Sequence, residues 1–192
     1  MGTPAAGCLA AIEDLKTVLG PTLGGGAYQD DDLTRVIQAA SAEFSNQTDR
    51  NLAKHDVVEV RLTGPCKTQT PFLVPEEYPV ISVSDVQIDG TSITAAVLPD
   101  DTGWRLVNGV IYFTGVWWTP GTLYQLTYSA GYDTIPNDIQ QAVLEMCCLK
   151  LTDRNHWGKQ SVAMGGTSVS FLPSLLPQSV KGVINNYRAV RP

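Results

Sequence analysis

"LTYSAGYDTIPNDIQQAVLEM", residues 126–146, changes its period halfway along. Leu126, Tyr128 and Ala130 alternate with polar neighbours as a strand does, whereas from Asn137 the apolar residues fall three and four apart as in a helix. The joint either holds a catalytic loop or welds two kinds of structure together. Gly131 lets the strand end turn sharply, and Pro136 fixes the chain just before the helix. Asn137 or Thr134 is placed to cap the first turn, with Gln140 completing a capping box on Asn137.

Upstream of the joint, from Asp56 to about Ala130, the chemistry is β. "VVEVRL", "VISVSDVQI", "WRLV", "VIYF" and "LYQLTY" are rich in branched and aromatic residues and are separated by turn signals. Asp89-Gly90 and Asn108-Gly109 suit the positive φ angles of two-residue hairpins, and Thr119-Pro120-Gly121 supplies a third reversal. Hairpins of this kind predict an antiparallel sheet or a small barrel.

Helices flank this region. Residues 8–19 carry Leu9, Ile12, Leu15 or Val18, and Leu19 on one side, with Gly20-Pro21 as the stop. The acidic "DDD" at 30–32 opens a stronger helix with Leu33, Val36, Ile37, Ala40 and Phe44 in one stripe, and its carboxylates sit where the helix dipole favours them. The helix predicted over 137–155 has two apolar stripes, Ile139, Ala142, Val143, Met146 and Leu149, then Leu144, Cys147 or Cys148, and Leu151. Such an arc is too broad for a surface helix, so it lies at the centre of the fold or turns one stripe to a neighbouring subunit. A last short helix covers 178–188. Before it runs "HWGKQSVAMGGTSVSFLPSLLP", residues 156–177, a segment long enough to be disordered or a contact arm. The fold class predicted is α+β: a helical bundle body from residues 1–55 and 134–192 with a C-terminal arm, and an antiparallel β insertion at 56–133.

The formal charge of −6 argues against sequence-independent capture of nucleic acid, which depends on lysine and arginine displacing counterions. The charge is uneven: residues 1–133 hold 7 Lys and Arg against 16 Asp and Glu, a net of −9, and residues 134–192 hold 6 against 3, a net of +3. An acidic body with a basic tail suits head-to-tail pairing of copies, or different partners at the two ends, or is an incidental asymmetry on a monomer. Cys8, Cys66, Cys147 and Cys148 form no C-x-x-C pair, so a disulfide framework is not expected and a reducing cytoplasm is. No apolar run reaches membrane-spanning length; the chain reads as soluble, unprocessed and without a membrane partner.

Catalytic chemistry finds little support. His55 and His156 are the only histidines. Cys147 and Cys148 fall in the most apolar helix, where burial suppresses thiol reactivity. Asp30, Asp31 and Asp32 lack the alternating ligands of a calcium loop, and zinc-finger spacing is absent. "GGG" at 24–26 and "GGTS" at 165–168 have no Gly-Lys-Ser/Thr to cradle phosphate. No metal, cofactor or catalytic residue is assigned. Two rivals remain: a β-sandwich adhesion or carbohydrate-binding module with Trp104, Trp117 and Trp118 on one exposed face, and a small cysteine hydrolase using Cys66 and His55.

The opening stretch resembles the signature of the tailed-phage head-to-tail connector family, also called head-completion or adaptor proteins. In that family a Tyr-x-Ala-Gly-Tyr strand end is followed by a proline, an acidic residue and an alanine-containing helix, here Tyr128, Ala130, Gly131, Tyr132, Pro136, Asp138 and Ala142. "LTRVIQAASAEFSNQTDR" looks like the family's second helix with its terminal arginine, Arg50. "YPVISVSDVQIDG" is similar to its strand pattern, at Pro79, Val80, Val83, Val86, Asp89 and Gly90, and "GGTSVSF" to its Gly/Ser arm. The resemblance spans about residues 30–175.

It implies a structural protein of the virion neck, present in the host cytoplasm during assembly. The implied form is a ring of twelve copies beneath the portal protein. That ring extends the channel for genomic double-stranded DNA, which passes without sequence-specific binding, and receives a downstream neck or tail-completion protein. Trp157, Phe171, Leu172, Tyr187, Arg188 and Arg191, on an apolar and basic-tipped arm and last helix, are the expected contacts with portal and neighbour. The strand-helix joint of Tyr128, Gly131, Tyr132, Pro136, Asp138 and Ala142 is expected to set the angle between the β part and the ring-forming helices.

Overall fold

The structure is a computed structural model that describes residues 2, 4, 5, 7–20, 28–62, 72–98, 101–115, 121–156, 161–164, 167–170 and 176–189, with backbone alone at 153–156, 161–164 and 167–170. In chain order these form α1 (Ile12–Leu19), α2 (Asp30–Thr48), β1 (His55–Leu62), β2 (Phe72–Leu73), β3 (Val80–Ile88), β4 (Thr91–Ser92), β5 (Gly103–Val107), β6 (Val110–Thr114), β7 (Leu123–Ala130), α3 (Asn137–His156), β8 (Ser161–Met164), β9 (Thr167–Ser170) and α4 (Gln178–Tyr187). They divide into two units, Met1–Arg50 with Thr134–Pro192, and Asn51–Asp133. The fold class is α+β. No helix among the described residues is long and apolar enough to cross a membrane.

In the first unit, α1 begins at Ile12, later than the sequence pattern suggests. Cys8, Leu9, Ala10 and Ala11 are buried without being helical, and the Leu9 N–H donates to Ser41 Oγ at 3.0 Å. Gly20 ends the helix at φ 57°, donating its N–H to the Lys16 carbonyl. α2 starts at the three aspartates and buries Leu33, Ile37, Ala40, Ser41, Phe44 and Thr48. It ends on Asp49 in the left-handed conformation, where the Asp49 and Arg50 N–H groups close back on Asn46 and Ser45.

α3 packs against α1, α2 and α4. Ile139, Ala142, Val143 and Met146 of one stripe and Leu144, Cys147 and Leu151 of the other are all buried within the single chain. The central position is therefore the one observed for most of the arc, while Cys148 and Leu149 are half-buried. Three helices pack against α3 and cover those buried positions. Each buried Leu, Ile, Val or Met among them contributes about 1.5–3 kcal/mol on burial.

The second unit holds two open antiparallel sheets, in the orders β1-β7-β3-β4 and β2-β6-β5. Leu73, Ile111 and Phe113 from one sheet and Val86, Tyr124, Leu126, Tyr128 and Ala130 from the other share one core, and neither sheet closes into a barrel. Asp89-Gly90 joins β3 to β4 and Asn108-Gly109 joins β5 to β6, with φ of 47°, 78°, 51° and 78°, as two-residue hairpins require. β6 and β7 lie in different sheets, and Thr119 and Pro120 of the expected third reversal are outside the described residues. β8 and β9 form a separate two-stranded sheet inside the Gly/Ser arm, with Ser161 opposite Ser170 and Met164 opposite Thr167.

Candidate functional site

The strand side of the joint is fixed inside the second unit. Ala130, the last residue of β7, pairs with His55 on one side and Val80 on the other. Gly131 follows at φ 95°, and a Cβ there would overlap the Ala53 carbonyl, with its carbon 2.7 Å away. Only glycine fits this turn. Tyr132 then donates its N–H to the Leu52 carbonyl at 2.9 Å and bridges Ala53. Lys54 and Asp133 form an exposed ion pair at 2.7 Å, which raises the lysine pKa and lowers that of the aspartate. The two stretches that enter and leave this unit thus run side by side.

Tyr128 anchors the same strand from within. Its ring is fully buried; its hydroxyl donates to Glu59 Oε2 and accepts the Glu77 N–H, both at 3.1 Å. Burial pushes the phenol up to about 12. Glu59 also accepts the Glu76 N–H at 3.0 Å, and Arg61 Nε stands 2.6 Å from Glu59 Oε1 as an ion pair, although its N–H is not aimed at that oxygen. Desolvation raises the Glu59 carboxyl above its ordinary range, with Arg61 and the Tyr128 hydroxyl opposing.

On the helix side, the capping box expected at Asn137 is not formed. Asn137 is itself helical, the Pro136 carbonyl accepts the Gln140 N–H at 3.1 Å, and buried Gln140 turns its Nε2 back to the Ile135 carbonyl at 2.8 Å. Ile135 is buried ahead of the helix, so the Gln140 amide is drawn inward to that carbonyl. Asp138 is exposed and accepts the Ile139 N–H at 2.9 Å and the Tyr187 hydroxyl at 3.1 Å. Ala142, one turn on, is buried against the neighbouring helices.

Tyr187 is thereby held from two sides, because an Arg50 guanidinium nitrogen donates to its carbonyl at 3.1 Å. A third tie follows, from the Ala189 N–H to the Thr48 carbonyl at 2.8 Å. α4 buries Val180 and Ile184, and Ser179 Oγ meets Glu145 Oε2 at 2.7 Å. Tyr187 is consequently part of the fastening of the last helix, and Arg188 beyond it is exposed. Trp157, Phe171, Leu172 and Arg191 lie outside the described residues. Sequence reasoning had Arg50 and Asp138 as motif positions and Tyr187 as a contact, but not their meeting, since the three are far apart in the chain.

The features that a catalytic or adhesive reading would need are placed as follows. His55 sits between the Ala53 carbonyl (Nδ1, 2.8 Å) and Glu77 Oε2 (Nε2, 2.7 Å), and Cys66 is outside the described residues. Burial pushes the Cys147 thiol up to about 12 and raises those of Cys8 and Cys148. Trp104 is half-buried against the β core with its indole N–H on the Ile93 carbonyl at 2.8 Å, so it lines no exposed face; Trp117 and Trp118 are outside the described residues. Among the described residues no cluster of His, Cys, Asp or Glu could hold a metal ion.

A family model described as "Head completion protein" matches residues 12–190, across both units. The chain belongs to the head completion protein family. A head completion protein is a structural part of a phage's head-to-tail connection, and this is the role of the chain. No curated protein matches it in sequence. Among solved structures, it is similar to a chain from the neck of an empty GTA particle computed with C6 symmetry, at 18% identity and TM-score 0.61, covering 100% of this chain and 95% of that one. A chain from the virion of a native gene transfer agent (GTA) particle is alike at 17% identity and TM-score 0.63, covering 99% and 94%. A third, from the neck of a native GTA particle computed with C12 symmetry, is alike at 18% identity and TM-score 0.58, covering 100% and 94%.

Proposed function

We propose that this head completion protein assembles as a ring of twelve copies beneath a portal protein, extends the DNA channel, and receives the next neck or tail-completion protein, without catalysis. The observation that carries this reading is the extent of the family match, which takes in helices, β unit and arm together. The likeness to neck chains from particles computed with C6 and C12 symmetry supports the ring. The net charge of −6 supports a channel along which DNA slides rather than sticks.

In this reading the segment from Trp157 to Arg191 meets the portal and the neighbouring copy, with the basic tip on the portal. Its support is the way Arg50, Asp138 and Thr48 fasten the end of α4, which fixes where the basic tip leaves the helical unit. The test is portal binding by Arg188→Glu/Arg191→Glu, which touches no buried residue of α4. Binding to purified portal should weaken at least about tenfold, the order expected for losing two interfacial charges, with thermal unfolding unchanged. Undiminished binding would remove the tail from the portal interface.

A further inference from the structure

β1 is built inside out. Its alternation sets Val58, Val60 and Leu62 on one side and Val57, Glu59 and Arg61 on the other, and burial ordinarily takes the aliphatic set. Here Glu59 enters the core at 6% exposure, while Val58, Val60 and Leu62 remain 62%, 53% and 68% exposed. A slip of one residue would reverse this. The Tyr128 hydroxyl, the Glu76 N–H and Arg61 hold the polar side in place. Leu123, opposite Leu62, is also exposed and lengthens the stripe. Thr127 and Gln125 on β7 and Asp85 and Gln87 on β3 occupy the neighbouring positions, so the aliphatic surface is confined to the margin of the sheet.

The same strand is an edge. It is eight residues long and among the described residues pairs only with β7, and a long apolar edge is a template for a further strand. The chain also carries a matching element. β8 and β9 pair with no third strand among the described residues, and an isolated two-stranded hairpin is marginal in water. Residues 161–170, "SVAMGGTSVS", contain no charged residue to oppose strand addition. Other described edges suit it less: β2 and β4 have two residues each, and β5 is bridged by Ala95 at Trp104.

The occupant follows from symmetry and charge. β1 against β1 would be a two-fold contact between units of net −5 (4 Lys and Arg, 9 Asp and Glu over residues 51–133), and it would stop at a dimer. Hairpin against β1 is heterologous, can close a ring, and sets the basic 134–192 portion, net +3, near the acidic unit of the next copy. Resting on the ring reading above, we infer that β8–β9 of one copy adds to the β1 edge of the next, continuing the four-stranded sheet across each ring interface and shielding Val58, Val60 and Leu62.

Two full-length variants test this. One is Val58→Lys/Val60→Lys/Leu62→Lys, whose sites are exposed, so that folding is retained. The other replaces residues 161–170 by a Gly-Ser linker of equal length. Native mass spectrometry, with and without portal, should find rings of wild type and none of either variant alone. A mixture of the two variants should give one-to-one heterodimers and nothing larger, because one variant retains the hairpin and the other the β1 edge. Rings formed by either variant alone, or a mixture that stays monomeric, would overturn the inference while leaving wild-type rings, and the connector reading, intact. Wild type that forms no ring under either condition would overturn both.

Discussion

At position 131 the backbone conformation and the space agree: φ is 95° and the Ala53 carbonyl fills the place of a side chain. Gly131→Val should therefore destabilise the β unit by more than about 3 kcal/mol, the cost of a strained φ joined to a backbone clash. Denaturant unfolding followed by tryptophan fluorescence checks it, and wild-type stability would show that the turn relaxes freely. Glu59 makes a prediction in pH. Its carboxyl is raised above the ordinary 4.5, chiefly by burial, so it keeps its proton longer in the folded chain than in the unfolded one. Between 4.5 and the folded value the native state binds more protons, and rising pH removes stability. Glu59→Gln lacks this titration. The stability difference between variant and wild type should move in the variant's favour as pH rises from 4.5 towards neutrality; parallel curves would contradict the buried, raised carboxyl.

Among the elements, α3 carries the sharpest claim, that residues of both its apolar stripes are buried inside one chain. Leu144, on the second stripe, is 3% exposed. Leu144→Ala should cost the monomer about 3 kcal/mol, measured at concentrations where no assembly forms; an unchanged monomer with weakened rings would return that stripe to a subunit contact. The four helices were legible because their periodicity is strong and their ends carry Gly20, the Asp30–Asp32 start and Pro136 or Pro177. The two hairpins were legible from Asp89-Gly90 and Asn108-Gly109 for the same kind of local reason. What periodicity could not give was the facing of β1, since "VVEVRL" alternates equally well either way and a polar core partner, Tyr128, decides it. The β8–β9 pairing was hidden because residues 161–170 are mostly small and include Gly-Gly, a composition that reads as linker. The fastening of Tyr187 by Arg50 and Asp138 depends on contacts 137 and 49 residues apart, beyond any local signal.

For the whole molecule, the family was legible in the sequence. Motif residues at the joint serve each unit from within: Tyr128, Gly131 and Tyr132 close the β unit, while Pro136, Asp138 and Ala142 start and seat α3. The exposed β1 stripe and the β8–β9 hairpin are the surfaces we propose for contact between copies, and the basic residues after α4 those we propose for the portal. The central claim is that copies of this chain close into a ring on a portal. Its most direct test is the mass of the particle formed when purified protein is mixed with purified portal, by native mass spectrometry or single-particle electron microscopy. The account predicts one closed ring of twelve copies per portal; a chain that stays monomeric and unbound beside intact portal would contradict it.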